Sequence, residues 1–193
     1  TNTDVEGFCA PLAREGRSWS GARAVVLGCG GSARAVVAGL ADLGFSQIHL
    51  AGRRAESREA FLADCRSWAP QLQGLSWDGA SEELIAALAQ ADLLVNTTPV
   101  GMASASNPDA AAACPLDAGE LDALQANTVV YDIIYTPRPT RLLAQASQRG
   151  CRSIDGTEML VQQGAAALRL WSGQTDVPVD VMRKALLLHL DGQ

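Results

Sequence analysis

The chain has 193 residues, 48% of them hydrophobic, and a formal net charge of -6. That length and apolar share can bury a continuous core, while the acidic balance excludes the broadly basic surface that nucleic acids and anionic membranes attract. Five cysteines (Cys9, Cys29, Cys65, Cys114, Cys151) form no C-x-x-C pair and no run approaches the roughly 20 apolar residues of a membrane span, so a reducing, cytoplasmic setting is expected.

In chain order, a helical opening over 5–15 precedes an apolar strand, 22–27, which ends at glycines and leads into a helix over 33–43. The alternation repeats as strand 47–51, helix 57–68, strand 74–77, helix 81–90 and strand 93–96. The segment 97–127 is rich in Gly, Pro, Ser and Ala, with a biased run at 105–113, and reads as a long binding loop. Strand 128–134, helix 140–149, strand 152–154, helix 158–171 and a last helix from Pro178 through Leu190 complete the pattern. Six strands with helical crossovers predict an α/β fold: a doubly wound, mostly parallel six-stranded Rossmann sheet with helices on both faces, as one domain over 1–193.

The spacing Gly28-x-Gly30-x-x-Ala33 falls where a strand turns into a helix. Gly28 can make the tight turn, Gly30 lets a pyrophosphate approach the backbone, and the small Ala33 lets helix pack on strand. Gly31 and Ser32 open the helix, whose unpaired N–H groups and positive dipole end face the phosphates. An NAD-selective site places Asp or Glu about 20 residues on, to bind the adenosine ribose. This chain has Ala51-Gly52-Arg53-Arg54 there, with Arg58 near. Guanidinium groups present a rigid fork of donors suited to a 2′-phosphate, so NADP is expected over NAD; solvated loop charges are the plain alternative.

Five ordered motifs are more specific than the fold. They are Asn2-Thr3-Asp4-x-x-Gly7-Phe8, the turn at 28–35, Asn96-Thr97-Thr98-Pro99-Val100-Gly101-Met102, Tyr131-Asp132-Ile133-Ile134-Tyr135-x-Pro137, and Asp155-Gly156-x-x-Met159-Leu160-Val161-x-Gln163. Together they resemble the shikimate/quinate dehydrogenase family nearly end to end. The resemblance implies reduction of 3-dehydroshikimate by NADPH, in a cleft between an N-terminal substrate domain and a C-terminal Rossmann domain like this one. The sequence opens at Thr1 without Met, and the upstream domain is expected to lie outside these residues, bordered by the helical segments 1–20 and 173–193.

By resemblance, Asp4 is the carboxylate of a catalytic Lys–Asp pair and touches substrate. Its lysine belongs to the upstream domain, Lys184 being the single lysine here. Tyr135 and Gln163 would contact substrate; Thr97, Thr98 and Pro99 would line the dinucleotide, and Gly156 and Met159 would border the nicotinamide. Each has a plainer reading: Asp4 as a helix N-cap, Tyr135 as a core-edge residue, Gln163 as a surface amide, and the two glycine-containing segments as turns. An NAD-dependent quinate/shikimate dehydrogenase and a non-catalytic NADP(H)-binding module are the alternatives.

Two departures stand out. Where NADP-dependent members of the family usually read Asn-Arg-Thr, this chain reads Gly52-Arg53-Arg54, and where a second glycine is common it has Glu158. The latter places an unexpected carboxylate by the nicotinamide. His49 and His189 form no metal pattern, Cys29 is taken as a small tolerated side chain at a variable position, and Trp19, Trp68, Trp77 and Trp171 are read as core or domain-contact residues.

Overall fold

A computed structural model of the chain describes residues 2–79, 81–104 and 106–191. Of the expected domain 1–193, Thr1, Ala80, Ala105, Gly192 and Gln193 therefore lie outside the described residues, and with Ala105 goes the start of the biased run. The strands are β1 (Arg23–Leu27), β2 (Gln47–Gly52), β3 (Leu72–Ser76), β4 (Leu93–Asn96), β5 (Val129–Asp132) and β6 (Arg152–Ile154). They form one sheet in the order β3-β2-β1-β4-β5-β6, every neighbouring pair parallel. The order reverses between β1 and β4, which opens a crevice at the carboxyl ends of those strands.

Alternate residues of a strand face opposite sides of the sheet, so each strand feeds two cores. On one side Val26, Leu50, Val95 and Tyr131 pack under α1 (Thr3–Ala13), α2 (Gly31–Asp42), α3 (Ala55–Cys65) and α7 (Thr157–Ser172), through Phe8, Leu40, Phe61 and Met159. On the other, Leu27, Ala51, Leu75, Leu94 and Val130 pack under α4 (Glu82–Ala89), α5 (Ala118–Asp122) and α6 (Arg141–Gln148), through Leu88, Leu121 and Leu142. The last helix, α8 (Val179–Asp191), lies against α7 and buries none of its residues.

The expected elements all form, with shifted ends. Helix α1 begins two residues early because Asn2, not Asp4, caps it: the Asn2 side chain accepts from the Asp4 N–H at 3.0 Å. Helix α3 ends at Cys65 rather than at 68, and the chain continues as a turn in which the Trp68 and Ala69 N–H groups donate to the Cys65 carbonyl at 3.1 and 2.9 Å. The segment 97–127 is not a bare loop. It holds a 3-10 turn (Pro108–Ala112) and α5, which a capping box starts: Asp117 accepts from the Glu120 N–H at 2.8 Å and Glu120 from the Asp117 N–H at 2.9 Å. All five thiols are free, and no described helix is long and apolar enough to cross a membrane.

Candidate functional site

The crevice is a cleft of about 660 Å³ lined by Gly28, Cys29, Gly30, Gly52, Arg53, Arg54, Ser57, Trp77, Thr97, Thr98 and Pro99. Its floor is the turn after β1. Gly28 has φ near +103°, and its N–H donates to the Ala51 carbonyl at 2.9 Å. A β-carbon there would stand 2.9 Å from Thr97 Oγ1 and Thr98 Cγ2, so only glycine permits the close approach of β1 to the end of β4. The Thr97 hydroxyl closes that seam by donating to the Leu27 carbonyl at 2.6 Å.

Gly30 is the N-cap of α2 and offers no side chain to its first N–H groups. A β-carbon at Gly30 or Gly31 would meet nothing within 4 Å. The helix thus presents bare donors and its positive end to open space, an arrangement that suits a pyrophosphate. Ser32 follows on the first turn, and Ala33 is fully buried against the sheet.

At the end of β2, Arg53 and Arg54 are exposed on the rim, and among the described residues no carboxylate pairs with either. Arg58 is placed differently. It turns back to donate to the Gly52 carbonyl at 2.8 Å and buttresses the rim from behind rather than lining the cleft. Trp77, just past β3, forms a wall shared with a second hollow of about 490 Å³ that extends to Asp117 and Glu120.

The remaining expected residues gather around α1 and α7. These helices cross so closely that a β-carbon on Gly7 would lie 2.7 Å from the Met159 carbonyl oxygen and 2.9 Å from Gln163 Cβ. Asp4, half-buried, is one turn before Gly7 on the same face of α1, which brings it toward Gln163. Gly156 is as constrained: a β-carbon would meet the Ile133 carbonyl oxygen at 2.0 Å, so the turn into α7 packs directly on the end of β5. Met159 is buried in the core and Tyr135 is exposed after β5. None of these lines the cleft itself. Conversely, Cys29, Gly52, Ser57 and Trp77 line it without having been expected as site residues. Trp77 could have been found from its position at the carboxyl end of a strand of this fold.

A family model described as the shikimate 5′-dehydrogenase C-terminal domain matches residues 156–187. Two curated relatives, shikimate dehydrogenases (NADP(+)) from Nostoc sp. and Synechocystis sp., are each 50% identical over 196 residues, covering 98% and 99% of this chain. Over nearly all of its own length the chain is similar to shikimate dehydrogenases. It spans 64% and 63% of the length of those two relatives. Among solved structures, a shikimate 5-dehydrogenase from Listeria monocytogenes in complex with shikimate and NAD matches with a TM-score of 0.83 at 27% identity, over 95% of this chain and 62% of that one. A quinate dehydrogenase from Corynebacterium glutamicum in complex with NAD matches with a TM-score of 0.81 at 28% identity, over 97% and 62%.

Both departures from the shikimate dehydrogenase pattern have a physical reason here. A β-carbon at Gly52 would lie 2.5 Å from Cys29 Sγ, so the thiol fills the space that a side chain at 52 would need. Burial pushes the Cys29 thiol up, against the pull of Arg58 and Arg54, so it is a space-filling group and not an acidified nucleophile. Glu158 is turned toward α8. Its carboxylate accepts from Arg183 Nε and Nη2 at 2.8 Å each and from Gln162 at 2.7 Å, with Arg14 Nη1 at 2.9 Å. The Arg183 fork, more than burial opposes it, holds the Glu158 carboxyl below the usual range.

Proposed function

We propose that this chain is the NADP(H)-binding part of an enzyme that reduces 3-dehydroshikimate to shikimate in the biosynthesis of aromatic amino acids. The observation that carries the reading is the cleft at the switch point, where the uncapped start of α2 faces open space and Arg53 and Arg54 stand in place of a ribose-binding carboxylate. The open space at Gly30 and Gly31 fits a pyrophosphate, and the two guanidinium groups fit a 2′-phosphate.

A reduced dinucleotide held there would supply the hydride for a substrate carbonyl, whose oxygen would need a proton. The chain's own groups divide the remaining work. Gly28 to Ser32 and Arg53 with Arg54 hold the phosphates, and the Thr97–Pro99 segment walls the cleft. Asp4 holds and orients the ammonium of a lysine contributed by the substrate domain, tuning its pKa as the proton donor. Gln163 and Tyr135 hold substrate hydroxyls, and the turn at Gly156 with Met159 borders the nicotinamide.

Titration with NADPH and NADH, followed by energy transfer from tryptophan, tests this directly because Trp77 lines the cleft. Hydrogen bonds to a charged group are worth about 1.5–3 kcal/mol, so NADPH should bind roughly 10- to 100-fold more tightly than NADH. Arg53→Ala with Arg54→Ala should bring NADPH to the affinity of NADH and leave NADH unchanged. Equal affinity in the unaltered chain overturns the NADP assignment, and binding of neither overturns the dinucleotide site.

A further inference from the structure

Behind the Thr97–Pro99 wall runs a chain of hydrogen bonds, buried at Asp132 and part-buried at Thr98, where it reaches the cleft. Asp132, fully buried at the end of β5, stands in register beside Asn96 at the end of β4. Its Oδ1 accepts from Asn96 Nδ2 at 3.0 Å and from the Ile134 N–H at 3.2 Å, and its Oδ2 accepts from the Thr140 hydroxyl at 2.7 Å. Asn96 Oδ1 in turn accepts from the Thr98 N–H at 3.1 Å and the Thr98 hydroxyl at 2.7 Å, and Thr98 Oγ1 accepts from the Val100 N–H at 3.2 Å. We infer that Asp132 is a positioning residue: through the Asn96 amide it fixes the Thr98–Pro99 wall of the cleft in its binding shape. The inference rests on the reading of that cleft as a dinucleotide site.

The polarity of the chain carries the argument. The Thr98 and Ile134 N–H groups are fixed backbone donors, so Asn96 must turn its oxygen toward Thr98 and its NH2 toward Asp132. Thr140 Oγ1 caps α6 by accepting from the Leu143 N–H at 3.4 Å, so its own proton goes to Asp132. Asp132 therefore faces three donors, and only an ionised carboxylate, an acceptor at both oxygens, satisfies all of them. A proton on Asp132 sets donor against donor. If the Asn96 amide rotates to relieve this, its NH2 confronts the Thr98 N–H instead, and the strain passes to the wall.

Burial pushes the Asp132 carboxyl up to about 6, against the Thr140, Ile134 and Asn96 hydrogen bonds, and Asp155 from the β6–α7 turn adds to the rise. Burial pushes the Cys114 thiol up, Arg141, beside Thr140, pulls it down, and Asp132 in turn adds to its rise. The sign separates two readouts. A carboxyl whose pKa is raised on folding favours the folded state as the pH falls from about 6 toward its unfolded value, so protonating Asp132 does not unfold the chain. The cleft wall, by contrast, needs the ionised form, so affinity for the dinucleotide should fall over the same range.

The test is the NADPH dissociation constant of the whole chain between pH 5 and pH 8, for the unaltered protein, Asp132→Asn and Thr98→Val, with thermal melting alongside. The 2′-phosphate titrates near pH 6 by itself, but it does so identically with all three proteins and cancels in their ratios. Asp132→Asn should bind NADPH roughly tenfold more weakly at pH 8 and lose the part of the pH step that exceeds the phosphate's own. Thr98→Val leaves the buried pair in place and should shrink the same step, which keeps the inference testable if Asp132→Asn does not fold. Affinity of Asp132→Asn equal to that of the unaltered chain at pH 8, or a full pH step retained in either variant, overturns the inference. Failure of the unaltered chain to bind NADPH at pH 8 overturns the dinucleotide reading as well, and so is told apart.

Discussion

Tyr131 shows how a single side chain can be well packed and still costly. It is fully buried, with its ring stacked on Phe8 at 5.2 Å between centroids and 11° between planes. Its hydroxyl has no hydrogen-bond partner among the described residues, and burial drives its pKa far up. An unsatisfied buried hydroxyl costs about 1–3 kcal/mol, while the stack needs only the ring. Tyr131→Phe should therefore raise the melting temperature by about 2–4 °C for each kcal/mol recovered in a chain of this size. A lower melting temperature would show that the hydroxyl is satisfied after all. The same residue marks a limit of sequence reading: the Tyr131–Tyr135 motif was visible as a pattern, but whether a tyrosine hydroxyl finds a partner is a matter of tertiary packing. Gly52 and Cys29 teach the converse. Each looks like an isolated oddity in the chain, and only the 2.5 Å approach between a β-carbon at 52 and the thiol makes them one feature.

Helix α8 is the long helix with the least burial, and charge contributes to its attachment. It buries no residue fully; Arg183 pairs with Glu158 on α7, Arg138 lies 3.7 Å from Asp191, and the half-buried Met182 reaches toward Gly164 of α7. Arg183 is further oriented by Asp180 on its own helix. Because Glu158 has a depressed pKa when folded, its contribution is present above the unfolded value of about 4.3 and is lost as the pH falls through the folded one. Below about pH 4, α8 should loosen from α7 before the sheet unfolds. Pulsed hydrogen exchange, corrected for intrinsic rates, should show α8 amides losing protection between pH 6 and pH 3, and Glu158→Gln should lack that protection at both. Uniform protection of α8 across that range would mean that apolar contacts hold it. The helix itself was plain from the run after Pro178, and its dependence on Glu158 was not, since nothing in the sequence says that a residue beginning α7 reaches a residue 25 positions later. Helix α5 was missed for the opposite reason: the Asp117-x-x-Glu120 capping box was in view, but five residues anchored by one deeply buried leucine give no period to read.

At the scale of the whole molecule, the sheet was legible because every strand is followed by a crossover, and right-handed parallel connection leaves few orders for six strands. The phosphate side of the cleft followed for the same reason, since the ends of β1, β2 and β4 must meet where the order reverses. The residues proposed for the reacting side were named only through the family resemblance, and they lie on α1, α7 and beyond the end of β5, outside the cleft. That division argues for a separation of binding from turnover. Hydride delivery leaves a charged oxygen that needs a proton, and the donor proposed beside Asp4 is an ammonium. The chain's single lysine, Lys184, is exposed on α8, where it is one residue from the Arg183 that clamps Glu158. In the proposed scheme the hydride needs a proton from a lysine beside Asp4, and these residues supply none there. The 193-residue chain should therefore quench tryptophan on adding NADPH, yet give no shikimate-dependent reduction of NADP+ above background in a 340 nm assay. Robust turnover would overturn this, and its loss in Lys184→Ala would then identify that lysine as the donor.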